Sequence, residues 1–166
     1  VVDTSYRCRD GDVVTHHVHR HEPPVTSHAV RILADVDGLL VVDKPPSVPC
    51  HPGGRYRRNS LLAILAKEHG LFDLHTVHRL DRLTSGLLLL GKTKLVAEQV
   101  RKEFEAGSVK KKYLARVVGT LPPGRTLVDQ PIACKSHREA IHCIREEDGK
   151  PAQTVFSSLA TCALSD

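Results

Sequence analysis

The stretch His78-Arg79-Leu80-Asp81-Arg82-Leu83-Thr84-Ser85-Gly86-Leu87-Leu88-Leu89-Leu90 passes from alternating charge into an uninterrupted apolar run. Four leucines closed off by Gly86 and Gly91 read as a strand buried on both faces. The polar residues before them must then lie in a loop delivered to one end of a sheet. In that loop Asp81 has Arg79 two residues before it and Arg82 directly after it. A carboxylate acting as nucleophile or base must stay ionised near neutral pH, and nearby cations favour the ionised form. The same arginines suit contacts to phosphate. From charge spacing alone, a surface ion pair is the plainer reading. Gly86 to Thr93 also fits the phosphate-loop pattern G-x-x-x-x-G-K-[ST]. Such a loop wraps its amides around phosphate, which would leave four leucines unburied at roughly 1.5–3 kcal/mol each. The strand reading wins.

Outward from this segment, Thr93 is expected to cap a helix to about Ala106, with Val96, Val100 and Phe104 inward and Gly107 as the stop. Val109 to Val118 reads as a strand with Tyr113, Ala115 and Val117 on one side. Beyond Pro122-Pro123-Gly124, strand-like pieces at Ala140 to Ile144 and Ala152 to Leu159 flank a turn at Asp148-Gly149. On the upstream side, Asp37-Gly38 opens an apolar run, Leu39 to Val42, that stops at Lys44-Pro45-Pro46. A turn-rich loop follows, carrying Arg55, Arg57 and Arg58. Asn59 or Ser60 then caps a short helix through His69, stopped by Gly70. The chain opens on Asp10-Gly11, read as the turn of a hairpin whose strand continues towards Arg20 and ends at Pro23-Pro24. This predicts an N-terminal hairpin extension over 1–28 and a domain over 29–166. Strands and two helices without regular βαβ alternation give the class α+β.

Composition sets the outer bounds. The 166 residues are 40% hydrophobic and 26% charged, too apolar for a disordered tail. Lys and Arg number 24 against 19 acids, and the formal charge of +5 permits an anionic partner without naming one. No stretch approaches the roughly 18 apolar residues of a membrane span. Five scattered cysteines (Cys8, Cys50, Cys134, Cys143, Cys162) without a C-x-x-C pair, and no secretory signal, predict reduced thiols in an intracellular compartment. The chain contains no Met, so Val1 is not expected to be a natural translation start.

HRLDRLTSGLLLL, His78 to Leu90, closely resembles the signature of the RluA-type pseudouridine synthases. Three further motifs resemble that family in the same order: GLLVVDKPPSVPCHPGG (Gly38 to Gly54), KKYLARVVG (Lys111 to Gly119) and KPAQTVF (Lys150 to Phe156). VVTHHVHRHEPPV, Val13 to Val25, resembles the eukaryotic branch that modifies tRNA and related RNAs. The resemblance implies a mixed, largely antiparallel central sheet with flanking helices, and isomerisation of uridine to pseudouridine in tRNA, mRNA or rRNA. It implies that Asp81 is the catalytic aspartate, attacking or deprotonating the ribose while the uracil detaches, rotates and rejoins through C5. No metal, nucleotide or other cofactor is implied. Tyr113 would stack on the flipped base and move the C5 proton. Arg79 would fill the gap that the flipped nucleotide leaves. Arg82, Thr84 and Lys112 complete the expected substrate contacts, with Lys110 and Lys111 and the arginines at 55, 57 and 58 on phosphates.

The histidines at 16, 17, 19 and 21 invite a metal reading, but no cysteine or acid completes a site, so they are expected to form a solvated or RNA-facing strand. Cys134, His137, His142 and Cys143 match no structural zinc spacing. The family also carries a later Gly-Arg-x-His-Gln-Ile-Arg-type motif that gives its aspartate a basic partner, and nothing here matches it. The resemblance therefore implies a C-terminally truncated catalytic domain. The alternative is a catalytically silent fragment that keeps an RNA-binding surface.

Overall fold

The computed structural model describes residues 3–15, 17, 19–136 and 141–161, except the side chain of Ser136. The chain divides into two compact units, Val1–Lys111 and Lys112–Asp166. Residues 3–28 fall within the first of these units.

The first unit is built on a four-stranded sheet of β1 (Arg31–Val36), β2 (Leu39–Lys44), β3 (His75–Thr76) and β4 (Gly86–Gly91), in the order β1-β2-β4-β3. Every pairing is antiparallel. β1 and β2 are joined through Asp37 and Gly38, at φ 51° and 78°. Positive φ at both central residues gives the turn whose twist suits a two-residue hairpin. β4 is the four-leucine strand, so Gly86 to Thr93 is not a phosphate loop.

The leucines are not buried on both faces, contrary to expectation. In the β2–β4 ladder Leu40 faces Leu90 and Val42 faces Leu88, and all four are fully buried. Helix α1 (Leu61–His69) contributes Leu61 and Leu65 to the same core. Leu87, Leu89 and Gly91 share the other face of β4. Helix α2 (Lys94–Glu105) lies against Gly91, Leu89 is half-buried, and Leu87 is 64% exposed. One helix covers only one end of that face.

Both helices begin and end where expected, but they are capped differently. Thr93 Oγ1 accepts a hydrogen bond from Val96 N–H at 3.3 Å. Ser60 stands in the capping position of α1, yet its hydroxyl donates to the Arg57 carbonyl instead. Gly70 closes α1 in the left-handed conformation, at φ 66°.

The second unit holds β5 (Arg125–Asp129), β6 (Ile132–Ser136), β7 (Ile141–Ile144) and β8 (Gln153–Ser157), paired antiparallel as β5 with β8 and β6 with β7. A turn forms near Asp148, where Arg145 and Asp148 pair at 2.9 Å. β7 and β8 flank it but pair with other strands.

Two expected strand regions are absent. Asp10-Gly11 does form a turn, with Asp12 N–H donating to the Arg9 carbonyl, but no strand occurs among the described residues from 3 to 30. Val109 to Val118 is likewise not a strand, because no described ladder supplies it with a partner. Alternating side chains alone do not make a strand. Ala140, His16, His137 and Cys162 lie outside the described residues.

Candidate active site

The loop between β3 and β4 arrives where Lys44, the last residue of β2, pairs with Gly86, the first of β4. Its residues are tied down one after another. His78 Nε2 accepts from the Leu89 amide at 3.2 Å, and its ring stacks on Phe104 of α2 with centroids 4.7 Å apart. To accept there, the ring must be neutral. Burial supports this by holding the His78 pKa below the ordinary histidine range, and the charge of Lys111 acts in the same direction. Leu80 is buried beside Cys50, whose Sγ accepts from the Leu80 amide (3.3 Å) and donates to the Leu80 carbonyl (3.2 Å). One thiol thus satisfies both polar groups of a buried peptide backbone.

Lys44 completes the anchorage. It is fully buried, and its ammonium donates to the carbonyls of Pro45 (3.0 Å), Val48 (2.8 Å) and Arg82 (3.2 Å). Three acceptors match the three donors of an ammonium. Burial pushes its pKa down, Cys50 and Asp81 oppose that shift, and Arg82 adds to it. Asp81 therefore sits in the electrostatic reach of a buried cation.

With His78 and Leu80 held inward, Arg79, Asp81 and Arg82 stand exposed. The Asp81 carbonyl accepts from Thr84 N–H at 3.0 Å, which closes a turn that starts at Asp81. Neither Arg79 nor Arg82 forms an ion pair with Asp81 among the described residues. The Arg82 guanidinium lies instead over the Tyr56 ring, 5.8 Å from its centroid. The surface ion pair that charge spacing suggests does not form. What the arrangement provides is an exposed carboxylate on a loop whose neighbouring backbone is fixed by three buried or half-buried side chains.

The structure gathers Arg79, Asp81, Arg82 and Thr84 in this loop. Lys112 and Tyr113 belong to the second unit, where Tyr113 is 66% exposed. A shallow cleft of about 270 Å³ beside the loop takes in Arg31, Asp43 and Ser85 but not Asp81. His19 and His21 approach at 2.8 Å between Nε2 atoms, and no group of three or more metal-ligand side chains gathers among the described residues. Cys8, Cys50, Cys134 and Cys143 are free thiols. No described helix is long and apolar enough to cross a membrane.

Lys44, Cys50, Tyr56 and His78 were not singled out from the sequence as parts of the site. For Lys44 a signal existed: Leu40, Val42 and Lys44 share one strand face, so the core stripe carries the lysine inward. Nothing local marks Cys50, because its partner is 30 positions away.

A family model described as RNA pseudouridylate synthase matches residues 38–165. The chain is 42% identical over 160 residues to pseudouridylate synthase RPUSD2 of Mus musculus, covering 96% of this chain and 29% of that protein. It is also 42% identical over 161 residues to the mitochondrial tRNA pseudouridine(32) synthase of Saccharomyces cerevisiae, covering 95% and 35%. The chain thus spans about a third of the length of these curated relatives. Among solved structures, human RNA pseudouridylate synthase domain containing 4 aligns with a TM-score of 0.54 at 35% identity, covering 74% of this chain and 47% of that one. Human RNA pseudouridylate synthase domain containing 1 aligns with a TM-score of 0.60 at 25% identity, covering 80% and 52%.

Proposed function

This chain belongs to the RNA pseudouridylate synthase family, and on that premise we propose that it isomerises uridine to pseudouridine in RNA with Asp81 as its catalytic carboxylate. The observation that carries this reading is the exposed Asp81 on a loop pinned by Lys44, Cys50 and His78. A group that must meet a reacting ribose needs a fixed position, and pinning the adjacent backbone provides it without burying the carboxylate. Asp81 either attacks C1′ as the glycosidic bond to N1 breaks, forming an ester that C5 later displaces, or removes a ribose proton that it returns when C5 adds to C1′. The freed uracil rotates and bonds to C1′ through C5, and the carboxylate is released unchanged. The C5 proton is lost while N1 gains one, directly or through solvent, so the atoms balance without a co-reactant. Tyr113 stacks on the uracil and carries that proton, and Arg79 occupies the space of the flipped nucleotide. Arg82, Thr84 and Lys112 contact the RNA, with tRNA as the first substrate to test. Residues 29–166 contribute to the catalytic domain, and the free thiols support an intracellular setting.

A second reading has its own support: Asp81 has no cationic side chain paired with it among the described residues. In that reading the chain binds RNA without chemistry. Incubation with uridine-labelled tRNA separates the two. Pseudouridine formed by the parent chain and lost in Asp81→Ala supports catalysis. Salt-sensitive RNA binding without product supports the silent reading.

A further inference from the structure

Glu22 lies in the segment before the sheet, 35 to 37 positions from the residues it holds. Its carboxylate accepts three backbone N–H groups in succession, from Arg57 (2.9 Å), Arg58 (2.8 Å) and Asn59 (2.8 Å). Asn59 Nδ2 returns a bond to the Pro23 carbonyl at 3.0 Å. These amides hold the Glu22 pKa below the ordinary carboxylate range. The carboxylate is occupied by backbone and makes no ion pair among the described residues, and the nearby Arg58 charge only adds to the same shift. Arg55, Arg57 and Arg58 are exposed, and none forms an ion pair among the described residues.

The same loop is closed tightly one turn earlier, where Gly53 and Tyr56 exchange backbone hydrogen bonds at 2.9 and 3.0 Å. Tyr56 supports the Arg82 guanidinium, and Arg82 follows Asp81 directly. A continuous path of contacts runs from Glu22 through residues 53–59 and Tyr56 to the candidate active-site loop. We propose that Glu22 is a positioning residue for RNA engagement: it sets the arginine-bearing loop so that Tyr56 orients Arg82 and the three guanidiniums remain open to phosphate.

This inference rests on the RNA-directed function proposed above, so the test has one readout that needs no RNA. In the full chain, the Arg82 side-chain protons carry a ring-current shift from Tyr56 that NMR reads. Glu22→Ala abolishes that shift and speeds exchange of the Arg57, Arg58 and Asn59 amides, while the Leu88 and Leu90 methyl signals stay in place. Against a uridine-containing stem-loop, titrated between about 50 and 200 mM salt, it weakens binding roughly tenfold and flattens the salt slope by about 2. Glu22→Gln falls between, because its amide keeps one oxygen to accept but turns a donor towards another donor. Tyr56→Leu keeps the amide protection and still weakens RNA binding, which guards against a Glu22→Ala protein that fails to fold. The proposal is overturned if the Arg82 shift survives Glu22→Ala, or if both Tyr56→Leu and Glu22→Ala bind RNA as the parent does. If the parent itself shows no salt-sensitive binding, the RNA-directed function fails, and with it the role in RNA engagement. The Arg82 shift then still reports whether Glu22 orients that side chain.

Discussion

His78 illustrates how a single residue in the signature is used for anchorage and not for chemistry. It accepts a hydrogen bond only when neutral, and burial favours that form in the folded chain. Its folded pKa is therefore below the unfolded value of about 6.5. As pH falls through that value the unfolded chain takes up a proton first, so stability is greatest above it and declines below it. The decline ends once the folded ring also protonates. His78→Gln keeps an acceptor and removes the titration, so urea unfolding at pH 7.5 and 5.5 should differ less for the variant than for the parent. Equal pH dependence in both proteins would sink this account, since the remaining histidines are common to them. Asp81 shows the converse arrangement: the backbone beside it is fixed by distant side chains, and the carboxylate stays exposed.

At the scale of elements, β4 makes two different contacts with its two faces. Leu88 and Leu90 fill the core against β2 and α1, while Gly91 lets α2 approach the opposite face. A Cβ at Gly91 would stand 2.7–2.9 Å from the backbone nitrogen, Cα and Cβ of Ala97. Gly91→Ala must push the helix away, and overpacking of this kind costs about 1–3 kcal/mol. Leu87→Ala, on the same strand but exposed, should change stability by less than about 0.5 kcal/mol. Denaturation midpoints of the two variants check the contrast, and equal effects would mean that α2 does not rest on Gly91. The four-leucine run made the strand legible, but its burial was overestimated. Apolar composition says that a face is able to be buried, not that the chain contains an element to cover it.

At the scale of the whole molecule, the division at Lys111/Lys112 falls inside a segment that alternates like a strand and is not one. Among the described residues, 109–118 make no backbone–backbone hydrogen bond, and the segment carries three consecutive lysines. Exposed, unpaired backbone is the preferred substrate of proteases. Limited trypsin digestion should therefore cut first at Lys110–Lys112 and release a fragment containing the first unit. First cleavage at Arg55, Arg57 or Arg58 would contradict this and would also weaken the view that Glu22 fastens that loop.

The sequence by itself determined the elements whose signals are local: the leucine strand, the two helices with their stops, the turn at Asp37-Gly38, and the loop that presents Asp81. Those depend on neighbours within a few positions, through side-chain periodicity, capping and φ preference. It also carried the motifs that relate the chain to its family. Only the tertiary structure decided that Lys44, Cys50 and His78 fix the loop, that Arg82 rests on Tyr56 instead of Asp81, and that Glu22 clasps residues 57–59. Each is a contact between distant parts of the chain, whose partner is chosen by which carbonyls, amides and rings the packed core brings within reach. For the same reason Val109 to Val118 has the alternation of a strand without being one: its pattern is local, but a ladder needs a partner.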